Sequence, residues 1–233
     1  FLTPMMLGIV FGAAISGQIL SRTGGHYRIQ GILGLSIMGI GAIMLSGTTA
    51  EITHGYALTS AVIMGFGLGT SFPLYTIAIQ NGVPQQYLGI ATSSAQFFRS
   101  VGGSIGLAVF GSYMVRRFKD GMEDNLPSEA LEAVPPQLLN QITDNPNALL
   151  NPEASDNLIN TFAASGESGI AIGTQVLGAI RGSLAGAIGD VFFLCFIFVA
   201  LAVVATAFIR EVPLREREKP SSVNSQSSDE PDD

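Results

Sequence analysis

Five stretches of the chain stay apolar for longer than a water-soluble helix does, and short polar connectors separate most of them. They run at roughly 1–20, 29–49, 56–80, 89–115 and 186–209. An α-helix rises about 1.5 Å per residue and a bilayer's hydrocarbon core is about 30 Å thick, so roughly 20 apolar residues make a crossing. Residues 1–21, 29–50 and 55–98 contain no Lys, Arg, Asp or Glu. A soluble helix needs a solvated polar stripe, and none of these segments has one wide enough. Strands do not fit either: the runs are too long and period-two alternation is absent. The pattern predicts an all-α, polytopic transmembrane helix bundle with five spans.

The connectors give an orientation. The short loop 21–28 carries Arg22, His26 and Arg28, and the tail after residue 209 carries Arg210, Arg215, Arg217 and Lys219. Basic residues in short loops mark the cytoplasmic side. Both the loop and the C-terminus are therefore expected in the cytoplasm. Arg116, Arg117 and Lys119 run against this, because alternation places them outside. The expected layout is spans one to four in 1–118, an extracytoplasmic acidic loop 119–185, a last span 186–209 and a disordered cytoplasmic tail 210–233. The loop holds nine acidic residues and no Lys or Arg between Asp120 and Glu167. Residues 170–185 are expected as a lead-in to the last span. The tail has almost nothing to bury. The first residue is Phe, with no basic n-region ahead of the apolar run, so a signal peptide is not expected; the chain reads as a fragment that starts in or near a span.

Composition narrows the function. Charged residues make up 12% of the chain, about half the usual share of roughly 25%, and mean hydropathy is +0.42. No basic face exists to neutralise phosphates, which excludes nucleic-acid binding. The single Cys195 allows no disulfide within the chain, and two distant histidines make no metal site. No metal and no cofactor are expected.

Several residues stand out chemically. Arg99 lies about ten residues into the fourth span, where a charge costs roughly 2.5–3.5 kcal/mol at the bilayer centre. With Gln96 it is the candidate lining of a transport path, paired with a carboxylate or a backbone carbonyl. Asp190, the one carboxylate in a predicted span, is placed at the membrane interface near Arg181; the alternative is a titrating role. Gly8/Gly12 and Gly102/Gly106 are spaced four apart, and Gly65, Gly67 and Gly69 crowd one helix. Small residues let helices approach closely in lipid. Gly65, Gly67, Gly69, Gly102, Gly103 and Gly106 are thus assigned to packing or bending. Pro73 removes a backbone hydrogen bond and is expected to kink the third span. In the connector, Gly17, Arg22, Gly24 and Arg28 form a frame that can latch neighbouring helices.

Three stretches carry a family resemblance. SGQILSRTGGHYR resembles the basic cytoplasmic loop motif of the major facilitator superfamily. The segment from GFGLGTSFPLYTIAIQNGV to AQFFRSVGGSIGLAVFG resembles a helix pair of its fourteen-span drug:proton antiporter family, the EmrB/QacA type. FIREVPLRE resembles that family's ending. The resemblance implies the tenth to fourteenth of fourteen spans, with the missing N-terminal bundle facing this one. It implies proton-coupled efflux of amphipathic compounds by alternating access, in a plasma membrane of the bacterial inner-membrane type, and activity as a transporter, not an enzyme. Its partners are a small-molecule substrate, protons and the lipid bilayer; a periplasmic adaptor stays an open question. Within the loop motif the superfamily's Asp is replaced by Ser21. Two alternatives remain: a transporter of the same fold for a specific metabolite or siderophore, and a non-transporting membrane anchor or scaffold.

Overall fold

A computed structural model of the chain describes residues 2–23, 27–47, 54–126 and 167–209. They form five helices: α1 (Leu2–Thr23), α2 (Tyr27–Ser46), α3 (His54–Asn81), α4 (Leu88–Asn125) and α5 (Glu167–Ala207), with a short 3-10 turn at Gln85–Tyr87 before α4. No strand occurs among the described residues. Four helices are long and apolar enough to cross a membrane: Leu2–Arg22, Tyr27–Ser46, Gly55–Asn81 and Ile172–Ala207. Their outward residues are large and apolar, among them Val10, Phe11, Ile40, Phe72 and Leu201. That surface suits lipid as the surrounding solvent.

The expected fourth span is the least apolar of the five helices. Residues 89–115 do lie in one helix, but α4 is not apolar enough to be counted with the other four. Ser, Thr and Gln punctuate its first half around Arg99, and its last turns carry Arg116, Arg117, Lys119, Asp120, Glu123 and Asp124. The ends of the expected outer loop 119–185 also differ. Residues 119–125 close α4, and residues 167–185 are the first turns of α5. Residues 127–166, the connector residues Gly24 and His26, and the tail from Arg210 lie outside the described residues.

Glycine organises the packing. α3 lies between α1 and α2, α2 also packs along α5, and α5 along α4; α3 touches α4 lightly. The α1–α3 contact is reciprocal. A methyl added at Gly8 or Gly12 would collide with the carbonyl oxygen of Val62 or Phe66 across the interface, and one at Gly65 or Gly69 with that of Met5 or Ile9. Backbone meets backbone there, which no larger residue permits. The α2 side repeats the device, with Gly41 on Met64 and Gly67 on Met38. Pro73 sits inside α3, its φ already helical and its missing N–H leaving one carbonyl without its usual partner.

The last turns of α4 and the first turns of α5 are built differently. A crevice shared by Leu2, Leu45, Ala57 and Ile188 sets the start of α1 level with residues 185–188 of α5. Residues 167–184 therefore run on past the three-helix body, by about 27 Å at 1.5 Å per residue. They pack on the last turns of α4 through side chains: Phe118, Met122 and Leu126 against Val176, Ile180 and Leu184. Phe118 and Ile180 are 0% and 1% exposed. Asn125 Nδ2 donates to Ser183 Oγ at 3.3 Å and ties the ends together.

Candidate functional site

Arg99 and Gln96 lie together, as the i, i+3 spacing on one helix requires. Arg99 Nη1 donates to Gln96 Oε1 in a long contact of 3.5 Å. The guanidinium stands 5.0 Å from the centre of the Phe72 ring on α3, within range of a cation–π attraction. The expected carboxylate or carbonyl partner is not found among the described residues; an aromatic face and an amide take that place. Arg99 thereby keeps most of its N–H groups free for another acceptor.

This pair closes one side of a cleft of about 120 Å3 between α3 and α4, with Thr76, Ile79, Thr92 and Ala95. Thr76 and Thr92 donate their hydroxyl protons to the carbonyls of Phe72 and Leu88, at 2.9 and 2.7 Å. Their lone pairs remain available. The cleft thus offers strong donors from Arg99, an amide from Gln96 and two hydroxyl acceptors, with an aromatic ring beside them. Thr92, Ala95, Gln96, Arg99, Gly102, Gly103 and Gly106 recur at three- and four-residue steps, so they share one stripe of α4. No atom lies within 4 Å of a methyl placed at Gly102 or Gly103, and at Gly106 only the Phe110 ring of the same helix approaches, at 3.9 Å. Beyond the Arg99 cleft this stripe of α4 therefore presents bare backbone to open space.

The other sequence candidates separate. Gly65, Gly67 and Gly69 sit in the tight helix contacts described above. Gly17 has open space around it, with nothing within 4 Å of a methyl placed there, so it draws no neighbouring helix close. Arg22 and Arg28 are exposed at the facing ends of α1 and α2. Ser21 donates back to the Gln18 carbonyl of its own helix at 2.8 Å. Asp190 is not paired with Arg181. Its Oδ2 accepts from Arg117 Nε at 2.5 Å, with side chains 37% and 44% exposed. A carboxylate on α5 thus offsets one of the three cations that ran against the charge rule.

Two polar constellations were missed from sequence. Ser16, Gln30 and Thr70 join α1, α2 and α3: Gln30 Nε2 donates to Ser16 Oγ at 2.8 Å, and Ser16 Oγ donates to the Thr70 carbonyl at 3.0 Å. Thr206, whose proton goes to the Ala202 carbonyl, accepts from Tyr75 at 2.7 Å and joins α5 to α3. The available signal was the scatter of polar residues inside the apolar runs, and it did not say which of them are joined by buried hydrogen bonds.

Comparison with known proteins agrees with this geometry. The bundle is that of a multi-pass α-helical membrane protein, and residues 1–107 match the family model of the Major Facilitator Superfamily. Multidrug transporter protein MdtP of Bacillus subtilis is 29% identical over 223 residues, 93% of this chain and 40% of that protein. Multidrug resistance protein 3 of the same organism is 31% identical over 123 residues, covering 53% of this chain and 24% of that protein. The tetracycline resistance determinant of Streptomyces rimosus is 32% identical over 112 residues, 48% of this chain and 32% of that protein. The chain thus spans two fifths or less of the length of these relatives. No solved structure matches.

Proposed function

We propose that this chain forms part of a major-facilitator secondary transporter, most of one helix bundle in a longer protein, that exports amphipathic compounds in exchange for protons. The observation that carries the reading is the joint one: a relative named as a multidrug transporter aligns with 93% of the chain, and the α3–α4 cleft holds a charged residue, Arg99, on the exposed face of an otherwise apolar bundle. Arg99 and Gln96 line the inner part of the substrate path, and the Gly102–Gly103–Gly106 stripe lets a substrate pass along α4. Alternating access would rock this bundle against the rest of the transporter around a midplane site. The loop with Gly17, Arg22, Gly24 and Arg28 lies on the cytoplasmic side with the C-terminus, and the segment 119–185 lies on the extracytoplasmic side. Ser21 removes the acidic member of the loop motif, so any charge relay runs through another part of the protein.

A second reading has its own support. The cleft around Arg99 suits a carboxylate, and Citrate exporter 1 of Yarrowia lipolytica is 32% identical over 121 residues, 52% of this chain and 18% of that protein. On that reading the substrate is a specific organic acid.

The test uses the full-length protein in energised inverted vesicles with a panel of cationic dyes and organic acids. Gradient-dependent uptake of dyes, lost on collapse of the proton gradient and in Arg99→Ala at equal membrane expression, supports the first reading. Uptake of acids alone selects the second. Gradient-independent behaviour for every compound leaves the scaffold alternative.

A further inference from the structure

Among the described residues one buried side-chain atom has no hydrogen-bond partner: Oε1 of Gln30. The amide cannot relieve this by turning over. Its Nε2 donates to both the carbonyl oxygen and Oγ of Ser16, each at 2.8 Å. A carbonyl only accepts, so nitrogen must face it, and the orientation is fixed by chemistry. Ser16 Oγ is in turn committed to the Thr70 carbonyl. Rotating Gln30 would break two bonds to gain one. An acceptor held this way in apolar surroundings carries a penalty until a donor reaches it.

Gln30 lines a crevice of about 280 Å3 between α1, α2 and α3. Apart from Gln30, Ser16 and Thr70 the walls are apolar, and Ile15, Ile29 and Leu33 on its lip are 43–59% exposed. The crevice therefore opens through exposed apolar residues. The polar atoms of the crevice call for a donor: Gln30 Oε1 is unpartnered, and Thr70 Oγ1 has given its own proton to the Gly67 carbonyl at 2.7 Å. An apolar cavity of about 150 Å3 holds one benzene ring, so this one suits about two fused rings.

We propose that the crevice binds small membrane-dissolved amphiphiles that carry one hydroxyl or N–H donor on a one- or two-ring apolar body. The donor bonds Gln30 Oε1, the rings lie against Ile15, Ile29 and Leu33, and the ligand arrives laterally from the bilayer. The site is separate from the Arg99 cleft and does not depend on the transport reading.

The experiment uses full-length protein in phosphatidylcholine nanodiscs and two fluorinated probes, 6-fluoro-2-naphthol and 2-fluoronaphthalene, followed by 19F NMR and corrected against empty nanodiscs. The naphthol is expected to bind about tenfold tighter, as one added hydrogen bond implies. Gln30→Leu abolishes that discrimination, and Ile15→Trp, at the exposed lip, weakens both probes. Equal affinity of the two probes for the wild type identifies a water as the partner of Gln30 and overturns the proposal, as does discrimination that survives in folded Gln30→Leu. Should Gln30→Leu not fold, Ile15→Trp decides alone: unchanged naphthol binding there overturns the site.

Discussion

The α1–α3 contact and the α4–α5 pair solve the same problem with opposite materials. In the first, glycines on both helices bring backbone against backbone, Gly8 and Gly12 meeting Val62 and Phe66 while Gly65 and Gly69 meet Met5 and Ile9. In the second, long side chains meet across the gap, with Phe118 and Met122 against Val176 and Ile180. Between lipid-embedded helices apolar side chains gain nothing over lipid contact, so close approach and dispersion hold α1 to α3. In the α4–α5 pair Phe118 and Ile180 are almost wholly covered, and dispersion between long side chains holds the helices together. A third region shows that glycine spacing alone is not enough. Gly102 and Gly106 repeat the four-residue step, yet no neighbouring helix comes within 4 Å of a methyl placed at either.

The largest effect should come from Gly69→Val. The added carbons would collide with the Ile9 carbonyl, and overpacking of this kind costs about 3 kcal/mol or more. Detergent size-exclusion profiles of the full-length protein should show loss of the monodisperse peak. A stable, well-folded Gly69→Val would mean that α1 and α3 do not meet in this register. Phe118→Ala comes next, at about 3 kcal/mol for a fully buried aromatic. Hydrogen exchange should rise in 114–126 and 172–188 while α1 and α3 keep their protection; a uniform rise would merge two packing regions that the structure separates.

Tyr75→Phe removes the bond to Thr206 and should lower stability by about 0.6–1 kcal/mol, read as a small drop in melting temperature. Gly102→Ala should fall within about 0.5 kcal/mol of wild type. A loss as large as that of Gly69→Val would show that a further helix closes on this face in the complete protein. The smallest effect belongs to Asp190→Asn. The pair with Arg117 is more than a third exposed on both sides, and such pairs contribute little. Its melting curve should overlay that of the wild type at physiological salt; a clear shift would make the ion pair a real fastening of α4 to α5.

How much of this was legible in advance varies along the chain. The runs from Leu2 to Arg22 and from Tyr27 to Ser46 announced themselves by uninterrupted apolarity, because lipid imposes a length and a composition on any helix that crosses it. The last helix was legible only over 186–209: Gly173, Gly178 and Gly182 give residues 170–185 the look of a connector, and the structure shows them as helix. Gln96 and Arg99 were readable as a pair from their three-residue step. Phe72 was not, because its place beneath Arg99 depends on how α3 and α4 cross. The partner of Asp190 was misread for the same reason: Arg181 is nearer in sequence, but Arg117 is nearer in space.

The sequence alone determined the solvent and the element type: long uncharged runs must be helical in lipid, where each backbone group needs a partner within its own segment. Tertiary structure alone decided which glycines touch a neighbour, what Arg99 stacks on and which acceptor is left waiting at Gln30. Those outcomes depend on the rotation and crossing of whole helices. Helical period fixes which residues share a face, and it carries no information about which face meets which.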